Sequence, residues 1–235
     1  MTFSAAWEEF HAKKIWDGGA YPHFEKLMVT FVQDFGRVLE LGTGFGQNVP
    51  FFDAVNADYH GIDGSSSAVK VLREQFPHRA AKVMCADFTR EIPFERGFDV
   101  IVDRASISHN DVAGIERCIA LVHDYLKPGG LFIGADWFST GHSEYLRGTR
   151  LDTSTRTGYE EGQFADVGKV HFTDEAEMAY LFRHFDGLHL EERITRRPAP
   201  NDLVRGVIPF RWISRDFDGR EYRSAMWDVV VRKPV

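Results

Sequence analysis

Short apolar runs alternate with stretches of helical periodicity from residue 38 to about residue 136. Val38-Leu39-Glu40-Leu41, Tyr59-His60-Gly61-Ile62, Ala81–Cys85, Phe98–Val102 and Leu131–Ala135 each have the form of a buried strand in a parallel sheet. Helices are expected between them: over 46–55, from a cap at Ser65 to Gln75, and from about Asp111 to Tyr125. Lys127-Pro128-Gly129-Gly130 has the composition of a turn before the fifth strand. Upstream, Trp7, Phe10, Lys14 and Ile15 recur at helical spacing, and Asp17-Gly18-Gly19 breaks that helix. Tyr21-Pro22 opens a second helix that ends before Gly36.

Such alternation implies an α/β fold with a doubly wound sheet covered by helices on both faces. Ligands in that architecture bind beyond the carboxyl ends of the strands. Four successive strands end there in an acid: Glu40, Asp63, Asp87 and Asp103. From Trp137 to Phe172 the pattern lapses into a polar segment, of the kind that is functional or disordered. Thr173 is expected to cap a helix reaching Phe185, followed by a strand near Leu188–Thr195. Residues 198–223 form an arginine-rich connection, and Ala225–Arg232 a last, antiparallel strand. The expected organisation is a single domain over 1–235. It comprises a helical lid (1–35), a ligand-binding half (36–136) and a second half (137–235) with long loops at 138–171 and 198–223.

Composition narrows the functional classes. A chain of 235 residues with 43% hydrophobic and 14% aromatic content can build one sizeable core. A formal net charge of −7 argues against a nucleic-acid groove. The two cysteines, Cys85 and Cys118, are too few for a disulfide scaffold and are expected to be buried thiols. The start of the chain lacks the features of a signal peptide, and no apolar run approaches membrane-spanning length. A cytoplasmic protein without membrane partners is expected.

The chemistry concentrates at Glu40-Leu41-Gly42-Thr43-Gly44-Phe45-Gly46-Gln47-Asn48. Glycines after a strand let the backbone turn and approach a ligand, and the following helix start offers free N–H groups. A dinucleotide site spaces its glycines G-x-G-x-x-G, whereas here the third comes one residue early and a carboxylate precedes the first. That carboxylate disfavours a pyrophosphate and suits an ammonium group. Asp63 lies roughly 20 residues on, the spacing of a ribose-binding acid. Asp87-Phe88 offers a carboxylate for an exocyclic amine and a ring for a purine.

Taken together, residues 36–136 resemble the class I S-adenosylmethionine (SAM) methyltransferases. Glu40–Gly46 is similar to their first motif, Gly61-Ile62-Asp63-Gly64-Ser65 to the ribose motif, Cys85–Phe88 to the adenine motif and Phe98–Asp103 to the fourth motif. Leu126–Gly130 is similar to the turn before the fifth strand in the small-molecule branch. The resemblance implies a Rossmann-like sheet of seven strands, mostly parallel with the last antiparallel, and SAM as cofactor with S-adenosylhomocysteine (SAH) as product. It implies cofactor contacts from Glu40, Gly42, Thr43, Gly44, Gly46, Asn48, Asp63, Gly64, Ser65, Asp87, Phe88 and Asp103.

Methyl transfer to an oxygen or nitrogen of a small-molecule acceptor is the expected reaction, and no metal is expected. His109, just past the fourth strand, is the candidate general base, with a backbone-bonded structural role as its alternative. Trp16, Tyr21, Trp137, His142 and His171 are candidate acceptor residues. The arginines at 193, 196, 197, 205, 211, 215, 220 and 223 suit an anionic acceptor or a solvated surface. A SAM-binding sensor without turnover, an NAD-dependent oxidoreductase and an aminopropyl transferase are the alternative functions. The acceptor's identity and the oligomeric state have no signature in the sequence.

Overall fold

In the computed structural model, residues 5–13, 21–197 and 222–235 are described. The elements run α1 (Ala5–Lys13), α2 (Pro22–Phe31), β1 (Arg37–Leu41), α3 (Val49–Ala54), β2 (Asp58–Asp63), α4 (Ser66–Gln75), β3 (Val83–Cys85) and β4 (Phe98–Arg104). After them come α5 (Val112–Tyr125), β5 (Leu126–Phe138), β6 (Thr149–Arg150), β7 (Thr155–Thr157), β8 (Val170–His171), α6 (Glu175–Leu181), β9 (Asp186–Arg197) and β10 (Tyr222–Arg232). Lys14, Ile15, Trp16 and the Asp17-Gly18-Gly19 break lie outside the described residues, as does most of the 198–223 connection.

Seven strands form one sheet in the order β3-β2-β1-β4-β5-β10-β9. β1, β2, β3, β4 and β5 pair in parallel, and β10 runs antiparallel to both β5 and β9. The strand order reverses between β1 and β4, which opens a crevice beyond their carboxyl ends. This is the seven-stranded doubly wound α/β fold that the resemblance implies.

Side-chain alternation along the strands builds two cores, one on each face. Val38, Val100, Val102, Ile133 and Val230 pack with Phe24, Met28, Phe52 and Leu72 from the helices on one side. Leu39, Ile101, Phe132, Val229 and Val231 pack with Ile115, Ile119, Val122, Met178 and Phe182 on the other. Ser65 caps α4 by accepting from Ala68 N–H at 3.1 Å. Asp174, and not Thr173, caps α6, because its carboxylate accepts the Glu177 N–H at 2.8 Å. Among the described residues, no helix is long and apolar enough to cross a membrane.

Two stretches differ from expectation for physical reasons. Lys127–Gly130 does not separate α5 from the fifth strand but bulges within β5, where Gly129 N–H and Gly130 C=O bond to Lys233 at 2.9 Å each. Residues 139–172 are neither irregular nor coreless. β6, β7 and β8 form a small antiparallel sheet over Phe138, Tyr159, Phe164, Val167, Val170 and Phe172, all buried. Those aromatics follow neither a helical nor a strand period, so the sequence pattern conceals them. Cys118 is buried as expected, but Cys85 is exposed at the end of the short edge strand β3.

Phe164 contacts Phe138, Tyr159, His142 and Phe172 ring to ring. Phe164→Ala is expected to cost about 3–5 kcal/mol in urea unfolding. An unchanged midpoint would show that the segment melts apart from the main sheet.

Candidate active site

A cavity of about 1550 Å³ opens at the reversal point between β1 and β4. Its floor is the β1 loop, with Glu40, Gly42, Thr43, Gly44, Phe45 and Asn48, and its near wall carries Asp63, Gly64, Asp87 and Phe88. Arg104, Ser106, His109, Asn110, Asp136 and Phe138 line the side towards β4 and β5. The segment from Thr157 to Gly168 forms the far wall, and Trp7, Phe10 and His11 of α1 line the near side.

Asp63 ties the floor together. Its Oδ2 accepts the Gly44 N–H and its Oδ1 the Ser65 N–H, each at 2.8 Å. Gly44 holds φ +52° and an added Cβ would meet only the Gln47 Oε1 at 3.3 Å, so this turn presents bare backbone to the cavity. Burial raises the Asp63 pKa, while nearby His11 and the two N–H groups pull it back. Each carboxylate oxygen keeps a further lone pair for an incoming hydroxyl.

Glu40 is buried under the loop, accepting from Asn48 Nδ2 at 2.6 Å and Tyr59 OH at 2.7 Å. Burial raises its pKa to about 7 against those two bonds. The Asn48 Oδ1 is buried and has no partner among the described residues, an acceptor that a ligand's N–H would satisfy. These residues fit a nucleoside bearing an amino-acid ammonium: two carboxylates, an orphaned acceptor and the Phe88 ring line one crevice.

His109 Nδ1 lies 2.9 Å from the Lys169 carbonyl, so that nitrogen carries the proton and Nε2 is the ring's acceptor. Burial pushes its pKa down to about 4, keeping the ring neutral near pH 7. Trp7 and Phe138 pack edge-on against it, with centroids at 4.7 and 5.4 Å.

Several expected site residues stand elsewhere. Asp103 is fully buried and does not line the cavity. Its Oδ1 accepts the Ser106 and Ile107 N–H groups, and its Oδ2 the Trp137 Nε1–H at 2.6 Å. Trp137 is likewise in the core against Phe132 and Phe182, because strand alternation turns Phe138, not Trp137, towards the cavity. His142 packs among Phe164, Phe172 and Tyr222. His171 is held by Thr155 at 2.9 Å and Glu177 at 3.0 Å. Neither histidine lines the cavity. Gly46 serves packing, since a Cβ there would come within 2.9 Å of Leu72. Ser65 is buried as the α4 cap. Tyr21 does line the cavity, and Trp16 lies outside the described residues.

Sequence reasoning missed Glu8 and Arg104. Glu8 of α1 accepts from Ser65 Oγ at 2.7 Å, Ser66 Oγ at 3.2 Å, and Ser67 Oγ at 2.6 Å, all at the N-terminus of α4. The Ser67 bond leads in lowering its pKa to about 2, so an ionised carboxylate sits at a helix start and clips α1 beside the cavity. The run Ser65-Ser66-Ser67 was its available signal. Arg104 stacks on Tyr21, its guanidinium 3.5 Å from the ring centre.

Asp103→Asn should lower the melting temperature, because the Trp137 Nε1–H loses its acceptor, yet leave SAH affinity within about threefold of wild type. A large loss of SAH affinity in the folded variant would return Asp103 to the ligand.

Residues 38–130 match the family described as "Methyltransferase domain". A tRNA N(3)-methylcytidine methyltransferase of Drosophila melanogaster is 26% identical over 193 residues, covering 77% of this chain; the chain spans 57% of that relative's length. A SAM-dependent methyltransferase of Methanosarcina mazei superposes with a TM-score of 0.65 at 15% identity, covering 92% of this chain and 99% of the other. The 1,6-didemethyltoxoflavin-N1-methyltransferase of Burkholderia thailandensis gives 0.62 at 16% identity, covering 98% and 88%. Residues 38–130 thus match a methyltransferase domain, and the strand order over the described residues is the fold of these methyltransferase structures.

Proposed function

We propose that this chain transfers a methyl group from SAM to a nitrogen or oxygen of a small-molecule acceptor. One observation carries the reading: a single cavity joins the carboxylates of Glu40, Asp63 and Asp87 to the imidazole of His109. Its volume exceeds the roughly 300–1,000 Å³ of a pocket for one small ligand, leaving room for cofactor and acceptor together. In this reading Glu40 and Asn48 receive the methionine ammonium, Asp63 the ribose diol, and Asp87 with Phe88 the adenine. Bound there, SAM supplies an already activated methyl carbon.

The chain's own task is then alignment and proton removal. Holding the acceptor in line with the methyl carbon can lower the barrier by ~7–11 kcal/mol. His109 Nε2 accepts the acceptor's proton or orients its lone pair. With its pKa lowered to about 4 the neutral ring is a weak base, able to take a proton that becomes strongly acidic as the new bond forms. We further propose that α1, clipped by Glu8, roofs the site and that Thr157–Gly168 walls the acceptor side, within a single domain.

The tRNA activity named for the Drosophila relative offers a second reading. The balance of charge along the described wall argues against it, since Glu9, Glu160, Glu161 and Asp166 outnumber the lining Lys13 and Arg104 and disfavour phosphates. The same acids favour a neutral or cationic acceptor over the anionic one suggested by the arginines. Of those, Arg193 is committed to Asp136 and Asp228, and the four from 205 to 220 lie outside the described residues. SAH release, followed across panels of amines and hydroxyl compounds and with bulk tRNA, separates these readings. A sensor would release none in any arm.

With an active acceptor, His109→Ala should reduce kcat by about 10²-fold or more while SAH affinity holds. Since His109 titrates near 4, its protonated, inactive form accumulates only as pH falls towards 4. Wild-type kcat should therefore lack an inflection near pH 6.5. An inflection there that disappears in His109→Ala would contradict a buried, neutral base.

A further inference from the structure

Arg104 is the first residue beyond the buried Asp103, and its register partner on β5 is Ala135. Asp136 therefore lies beside it. The Arg104 guanidinium rests on the Tyr21 ring, and its Nε lies 2.8 Å from Asp136 Oδ2. That contact is too oblique for a hydrogen bond, so the buried Nε–H has no acceptor among the described residues. Asp136 is also shared: its Oδ1 accepts from Arg193 NH2 at 2.5 Å. Arg193 in turn forks onto the buried Asp228, which bonds His23 at 2.6 Å and the Asp136 N–H at 3.2 Å.

This placement is built into the backbone. A bulge in the β5–β10 pairing between Trp227 and Val229 brings Asp228 opposite Asp136. Ala105 and Asp136, on either side of the guanidinium, both hold left-handed backbone, at φ +57° and +58°. Such conformations cost energy in non-glycine residues and persist where surrounding structure enforces them. The result is a guanidinium fixed in the cavity wall, its paired carboxylate shared with Arg193 and its Nε–H without an acceptor among the described residues. Its charge is also close enough to favour ionisation of Glu40.

We propose that Arg104 seats the carboxylate of the cofactor's methionine moiety, and that Asp136 is its positioning residue. This rests on the SAM reading above and adds the partner for the second charge of the zwitterion. Ammonium and carboxylate share one carbon, so their seats must adjoin; Glu40 with Asn48 supplies one and Arg104 the other. A guanidinium suits the role because its fork matches a carboxylate's two oxygens.

Calorimetry with SAH and with 5′-methylthioadenosine, which lacks the amino-acid end, tests the assignment without an acceptor. Wild type should bind SAH more tightly. Arg104→Met should weaken SAH by about 10–100-fold and leave 5′-methylthioadenosine within about twofold. Arg104→Lys should fall between, and Asp136→Asn should narrow the ratio of the two affinities, a change that simple loss of stability would not produce. Unchanged SAH affinity in Arg104→Met, or equal weakening of both ligands in folded variants, overturns the proposal. Failure of wild type to bind either ligand would instead remove the SAM reading itself.

Discussion

The Asp63 carboxylate is the constraint on which the site depends. It reaches from the tip of β2 to the glycine turn after β1 and to the start of α4, satisfying one backbone N–H in each. A carboxylate taken out of water needs such donors, because unpaired burial would cost several kcal/mol or force it neutral. Here the donors are the backbone groups that must be held still for a ligand to meet a preformed surface. The Ser65 cap and the Glu8 clip are built on the same corner. The cavity floor, α4 and α1 therefore share one electrostatic anchor.

A second anchor lies across the cavity, in the paired bulge of β5 and β10. Arg193, Asp228 and Asp136 join the antiparallel edge of the sheet to the parallel half, and His23 brings in α2. Ion pairs around a buried carboxylate such as Asp228 are weak evidence for stability, since desolvation offsets much of their attraction. Their geometry is better explained by placement. They bend two strands so that Arg104, Tyr21 and Asp136 stand in the wall facing Glu40.

The parallel half of the sheet was legible because its central strands are buried on both faces and separated by glycine and proline punctuation. The glycine turn, Asp63 and Asp87 were legible because the loop after a parallel strand has few conformations and one exposed edge. The same logic misplaced Asp103. One residue further along the register, the chain folds back and gives that carboxylate two N–H donors and an indole, so it turns inward. Trp137 failed by strand parity, since its neighbour Phe138 takes the cavity side. The far wall of the cavity was illegible for a different reason. Phe164, Tyr159 and Phe172 meet through turns and two-residue strands, which leave no period in the sequence. Arg104 carries no motif; only its place directly after a strand tip distinguishes it.

The central claim is that two strand tips form a preformed cradle for a sulfonium nucleoside. A crystal structure with SAH tests it most directly. The account predicts ribose hydroxyls within hydrogen-bonding distance of both Asp63 oxygens, with the amino-acid end lying over Gly44 towards Asn48. Density for the nucleoside at another place, or none at saturating ligand, would contradict it.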